Sequence, residues 1–272
     1  MVETVTKDRT SRIALLAFAL LTLWWVILNL SGSTGGLPNL IFGAVYGPFM
    51  SLFGGILGLR IANQWGGWKS LMGRAINLLS IGLLAQSFGQ IVFSVYNIFL
   101  HVEIPYPSIA DIGFFGTIPF YIYGMYLLSR ASGLRVSLRS FASQIQAVVV
   151  PLFMIAVAYY LFLRGYEFDW SQPLTIFLDF AYPLGQALFV SLAMLTYSLS
   201  RNVLGGVMRS KVLMIVVAFV LQFTADFNFL YQNINGTWFN GGYGDYLYLI
   251  AYTLMTLGLI QMGTSTLKVT KK

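Results

Sequence analysis

The chain has 272 residues, of which 57% are hydrophobic and only 9% charged, with a formal net charge of +7. A soluble globular domain carries about 25% charged residues, so this composition excludes an ordinary soluble enzyme, a disordered chain and, despite the basic balance, a nucleic-acid-binding protein. The absence of cysteine and the single histidine, His101, exclude disulfides, thiolate catalysis, cysteine-ligated clusters and any multi-histidine metal site within the chain.

A membrane-spanning helix needs about 20 mostly apolar residues. Eight such runs cover residues 12–31, 38–60, 72–99, 108–130, 140–163, 173–199, 207–232 and 242–264. The expected fold is therefore all-α: one transmembrane domain over 1–272, a polytopic bundle of eight helices. The first run follows Lys7, Arg9 and Arg12 and precedes the small residues Ser31–Gly36, an order that imitates a secretory signal. Its apolar stretch, Ile13–Leu30, exceeds the ~7–15 residues of a signal core, so it is read as a retained helix. Helices 2, 4, 5 and 6 contain Pro48, Pro119, Pro151 and Pro183. Membrane helices tolerate proline when neighbours satisfy the freed carbonyl; kinking for packing and opening of the bundle at one face both remain open. The connections are too short for a soluble catalytic domain, so any output passes through the membrane body or a partner protein.

Lys and Arg remain on the cytoplasmic side of short loops. With eight spans, the N-terminus, the second, fourth and sixth loops and the C-terminal tail together hold 15 of the 16 basic residues, and only Arg164 falls opposite. The expectation is a multi-pass cell-membrane protein with both termini cytoplasmic and a basic inner face that meets anionic membrane lipid. The acidic residues show the reverse bias: Glu103, Asp111, Glu167, Asp169, Asp179, Asp226 and Asp245 fall outside or in the outer half of a helix.

The even helices share a signature of Asn/Asp, two apolar residues and Phe/Tyr. It reads Asn39–Phe42, Asp111–Phe114, Asp179–Tyr182 and Asp245–Tyr248, with starts 72, 68 and 66 residues apart. Gln86 and Gln90 recur 136 residues later as Gln222 and Asp226, and Asp111 recurs 134 later as Asp245. These offsets point to a duplication, with a first unit at 12–130 and a second, parallel one at 140–264.

The acids differ by depth. Ser108-x-x-Asp111 reads as a capping box, and Asp245 starts its helix after a glycine turn. Asp179 lies about 9 Å into helix 6 and Asp226 roughly 22 Å from the basic end of helix 7, at 1.5 Å per residue. A buried membrane Asp costs about 2.5–3.5 kcal/mol on insertion scales, so both are expected to face the interior with partners drawn from Gln86, Gln90, Gln186, Gln222, Asn228, Tyr182, Tyr248 and Tyr252. Two readings stand. One is a ligand pocket open to the outer face, built from Asp179, Asp226, Gln90, Gln186, Gln222, Tyr182, Tyr248, Asp111 and Asp245, which suits a small cationic or amine ligand. The other is a polar network that holds the helices together. No cofactor is expected; helix 8 lacks the lysine a retinal protein needs, and no phosphate loop or nucleophile elbow occurs.

The runs Pro105–Asp111, Asp179–Pro183 and Gly244–Tyr252 resemble the multi-helix membrane sensor regions of bacterial diguanylate cyclases and of archaeal and bacterial histidine kinases. The resemblance spans helices 3–8. It implies a sensor that passes its signal to a cytoplasmic domain; none follows helix 8 here, so a separate membrane or cytoplasmic signalling partner is implied. A weaker resemblance is to the eight-helix lysoplasmalogenase-like family, which carries an Asp in its third helix and another in its seventh. Asp226 fits the second, but Gln90 stands at the first, so hydrolysis is not expected. The expected function is a non-enzymatic sensor or ligand-binding module, with a small-solute or cation transporter and an accessory subunit of a larger complex as alternatives.

Overall fold

The computed structural model describes residues 8–102, 104–131, 141–203 and 209–269. Glu3, Lys7, Glu103, Arg135, Arg139, Lys271 and Lys272 lie outside the described residues. The described chain is all-α and contains eight long helices: α1 (Arg9–Leu30), α2 (Leu37–Gln64), α3 (Leu71–Ser94), α4 (Ala110–Ala131), α5 (Phe141–Ala158), α6 (Pro173–Val203), α7 (Arg209–Ile234) and α8 (Tyr243–Val269). Helices α3 and α5 run on into wider π-helical turns, Val95–Leu100 and Tyr159–Leu163.

Local chemistry starts these helices where the sequence places them. Asp8 caps α1 by accepting from the Ser11 amide at 2.7 Å, and Ser70 caps α3 through the Gly73 amide at 2.8 Å. Proline opens α2 and α6, where a missing N–H costs nothing. The four internal prolines all lie within continuous helices.

Seven of the helices are long and apolar enough to cross a membrane, which marks a multi-pass membrane protein. The expected fifth span, 140–163, is the exception. Among the described residues its apolar helical stretch is Gln144–Ala158, which falls short of the ~20 residues a crossing needs; the helix itself runs from Phe141 to Ala158 and continues as π turns through Leu163.

The packing closes a ring. Helix α2 meets α3, α3 meets α4, α4 meets α6, α6 meets α7, α7 meets α8, and α8 returns to α2. Helix α1 lies outside this ring against α8 and α2, and α5 lies outside it against α6. The spans differ accordingly: 78% of the α8 span is buried, against 17% of α1. Leu16, Leu20, Leu23 and Ile27 of α1 are exposed, as expected of side chains whose solvent is lipid. Small residues let the ring helices approach closely. A methyl group on Gly113 of α4 would sit 2.5 Å from the Ala85 carbonyl oxygen and 2.5 Å from the Gly89 nitrogen of α3. That backbone contact belongs to the most extensive helix pair in the molecule.

The connections α1–α2, α3–α4, α5–α6 and α7–α8 share one end, here called the acidic end. The side chain of Asn39 at the start of α2 donates to the Asn240 carbonyl in the α7–α8 connection at 2.9 Å, and Asn29 at the end of α1 donates to the Gly241 carbonyl at 3.1 Å. At the opposite, basic end, Trp65 donates to the Met262 carbonyl at 3.2 Å and Gln261 donates to Ser11 at 2.9 Å.

Candidate functional site

Asp111 and Asp245 begin α4 and α8, and each is held in the same way. Asp111 accepts from the Ser108 amide at 2.7 Å and from the Tyr182 hydroxyl of α6 at 2.7 Å. Asp245 accepts from the Gly241 amide at 2.6 Å and from the Tyr46 hydroxyl of α2 at 2.7 Å. Each carboxylate therefore caps its own helix and receives a phenol across a ring interface. Tyr46 and Tyr182 are 136 residues apart, and Asp111 and Asp245 are 134 apart. The expected signature aligned Phe42 with Tyr182. In the structure the matching hydroxyl is that of Tyr46, one turn beyond Phe42 on the same face of α2, and Asn39 instead binds the Ser33–Asn240 region.

Asp226 lies inside the ring. Gln186 of α6 donates to one oxygen at 2.7 Å and Tyr248 of α8 donates to the other at 2.5 Å. Asp226 has no basic partner among the described residues. Gln222, one turn earlier on α7, is buried and has no side-chain hydrogen bond to the described residues. Tyr248 stacks on Tyr252, one turn along α8, with ring centroids 5.8 Å apart. The Tyr252 hydroxyl accepts from Gln86 at 2.7 Å and from Gln90 at 3.5 Å, and Gln86 in turn accepts from Thr117 of α4 at 3.2 Å. Six helices thus meet through side-chain polar groups: α2 at the rim through Tyr46, and α3, α4, α6, α7 and α8 inside.

Asp179 is not an interior partner of Asp226. It is half-buried at the acidic end, and its two oxygens accept from Tyr106 of the α3–α4 connection at 2.8 Å and from Tyr166 of the α5–α6 connection at 2.7 Å. Asp179 and Asp226 share no hydrogen-bond partner. They are related through one stripe of α6: Asp179, Tyr182 and Gln186 recur at helical spacing on one face, the ends about 10 Å apart at 1.5 Å per residue. The phenol of Tyr106 is pushed above its ordinary range, first by burial and then by Asp179, with the charge of Asp111 adding to it. Tyr166 is pushed up to about 12, chiefly by its hydrogen bond to Asp179. Both phenols therefore stay protonated and donating at neutral pH. The neighbouring Asp169 is held below its usual range by the Ser171 hydroxyl.

Aromatic rings surround this end of α6. Phe168 stacks on Trp170 and Phe180 with centroids 5.5 and 5.7 Å apart, and Tyr166 meets Phe180 edge-on at 5.2 Å. An open groove of about 350 Å³ beside them is lined by Phe168, Ile176, Phe177, Phe180, Ala181 and Leu184. It is wholly apolar, so its walls suit an acyl chain or an aromatic ring, and no charged group lines it. Among the described residues no group of three or more His, Cys, Asp or Glu is placed to hold a metal.

Of the nine residues singled out as a pocket, the structure brings together Asp226, Gln186 and Tyr248, and separately Asp111 and Tyr182. Asp245 joins Tyr46, Gln90 joins Tyr252, Gln222 has no hydrogen bond to the described residues and Asp179 joins two loop tyrosines. Sequence reasoning missed Tyr46, Tyr106 and Tyr166. Tyr46 was recoverable from the 136-residue offset; the loop tyrosines carried no periodic signal. No family model, no curated protein and no solved structure matches the chain.

Proposed function

We propose that the protein is a non-enzymatic membrane sensor that binds a small cationic or amine ligand at the acidic end of α6 and signals through a separate partner. Asp179 carries this reading. Its carboxylate is half-exposed, lies among aromatic faces, and is held by one tyrosine from each of two different connections. A cation drawn to that carboxylate and to the aromatic faces beside it would pull on both connections at once. The displacement would then act on the α6 stripe that reaches Tyr182 and Gln186, and so on Asp111 and Asp226. The basic ends of the helices set the orientation by the positive-inside rule: the acidic end outside, both termini cytoplasmic, and Phe141–Leu163 as the eighth span. The recurrence of the tyrosine–aspartate pair at offsets of 134–136 residues supports the duplicated-unit reading.

Thermal unfolding of the detergent-solubilised protein tests the ligand. Choline is expected to raise the unfolding temperature of the wild type, its uncharged isostere 3,3-dimethyl-1-butanol is not, and Asp179→Asn should abolish the choline response. An equal response of wild type and variant, or none across a panel of primary to quaternary amines, would sink the reading.

A transporter is the second reading, favoured by one observation: Asp226 is a membrane-embedded carboxylate without a basic partner among the described residues, the kind of residue that marks ion pathways. Ligand-dependent ion flux in proteoliposomes would replace the sensor with the transporter.

A further inference from the structure

The centre of the ring holds more oxygen atoms than its hydrogen bonds use. Tyr121 of α4 is 0% exposed, and its hydroxyl has no partner among the described residues. A buried hydroxyl without a partner is uncommon and calls for an explanation. Its ring packs against Phe219 of α7 at 4.7 Å and Phe189 of α6 at 5.7 Å. Phe219 lies one turn before Gln222, and Phe189 one turn after Gln186. The hydroxyl is within electrostatic range of both the Asp226 carboxylate and the Tyr252 hydroxyl. Gln222, one turn before Asp226 on α7, is 6% exposed and hydrogen-bonds to none of the described residues. Tyr252 accepts from two glutamines, which occupies both lone pairs of its hydroxyl, so it borders the site without lending it an oxygen. The Tyr121 hydroxyl is thus buried and unpaired among the described residues, and Gln222 precedes Asp226 by one helical turn with no hydrogen bond to them.

The charge count selects the ligand. Asp226 supplies one negative charge and has no basic partner among the described residues. Both its oxygens already accept from donors, Gln186 and Tyr248. Each carboxylate oxygen keeps a second lone pair. The remaining donors around it are neutral oxygens, the preference of a hard cation. One carboxylate balances one positive charge, and the close packing of the ring favours a small ion.

We infer that the ring encloses a binding site for a small monovalent cation of the sodium class, with Asp226, Gln222 and Tyr121 as its oxygen ligands. This site is separate from Asp179 and stands whether or not an amine binds there.

The test is thermal unfolding of the purified full chain in NaCl against CsCl at constant ionic strength. The wild type is expected to show a saturable rise in unfolding temperature with Na⁺ that Cs⁺ does not give. Tyr121→Phe and Gln222→Leu are expected to move the half-saturating Na⁺ concentration up by about tenfold or more. Tyr121→Phe separates the ideas sharply, because it removes a hydroxyl that bonds to none of the described residues. If the hydroxyl were merely stranded, its loss would raise stability equally in both salts; if it holds the ion, its loss lowers stability in NaCl alone. Equal unfolding temperatures of the wild type in NaCl and CsCl, as a site filled only by water would give, overturn the proposal. So does a Tyr121→Phe variant with an unchanged Na⁺ response.

Discussion

Gly113→Ala is expected to destabilise the protein by about 3 kcal/mol, the upper part of the range for overpacking a tight interior. Gly113→Leu is expected to prevent recovery of a monodisperse bundle. The added methyl meets the α3 backbone, the Ala85 carbonyl and the Gly89 nitrogen, both at 2.5 Å. Backbone cannot rotate away as a side chain can, so α3 and α4 must separate. That separation would also stretch the bonds from Thr117 to Gln86 and to the Gly82 carbonyl, now 3.2 and 3.3 Å. The opposing effect is the better helix propensity of alanine, worth about 1 kcal/mol over glycine, and it is the smaller of the two. Gly116, three residues on in the same helix, provides the control, because a methyl there meets nothing within 4 Å. Gly116→Ala is expected to be neutral or stabilising by up to about 1 kcal/mol. Equilibrium unfolding in mixed detergent measures both. Similar effects at the two positions would mean that the α3–α4 approach is not tight.

The second large effect is expected at Asp245. Asp245→Ala removes the acceptor for the Tyr46 hydroxyl and for the Gly241 amide, both buried. An orphaned buried donor costs about 1–3 kcal/mol, so a loss of about 2–4 kcal/mol is expected. Adding Tyr46→Phe should recover part of that loss, since one stranded donor disappears with the hydroxyl. Measured hydrogen-bond couplings inside membranes average about 0.6 kcal/mol and reach about 1.7. A Tyr46–Asp245 coupling near the upper figure is expected, because the acceptor is a carboxylate and charge-assisted bonds are about twice as strong as neutral ones. The Tyr182–Asp111 pair should give a smaller coupling, as both residues are only partly buried. Matching double-mutant cycles on the two pairs test this. A coupling below about 0.5 kcal/mol at Tyr46–Asp245 would show that the pair is incidental to stability.

The two pairs also show where sequence reasoning stops. An acid at the start of α4 or α8 is legible locally, because the capping box Ser108-x-x-Asp111 and the glycine turn before Asp245 lie within a few residues of it. The phenol that completes each site comes from another helix, 71 residues away for Tyr182 and 199 for Tyr46. The repeat offset narrows the choice, yet it allowed Phe42 where Tyr46 does the bonding, because positions one turn apart on a helix share a face. Asp179 failed differently. Depth along α6 placed it below the membrane surface, but the connections that fold over the end of the helix decided its partners, and loop paths have no period to read.

What the sequence determined by itself is therefore the local physics. Runs of apolar residues set the number, order and approximate limits of the helices, because each helix satisfies its own backbone hydrogen bonds. Charge placement at their ends separated a basic end from an acidic one. The tertiary structure alone decided that six helices close a ring while α1 and α5 stay outside it. It also decided which tyrosine meets which aspartate, and that the Tyr121 hydroxyl is buried without a partner among the described residues. Those outcomes depend on how closely two helix backbones approach and at what register. That is set by contacts such as Gly113 against Ala85 and Gly89, between residues whose separation along the chain carries no hydropathy signal.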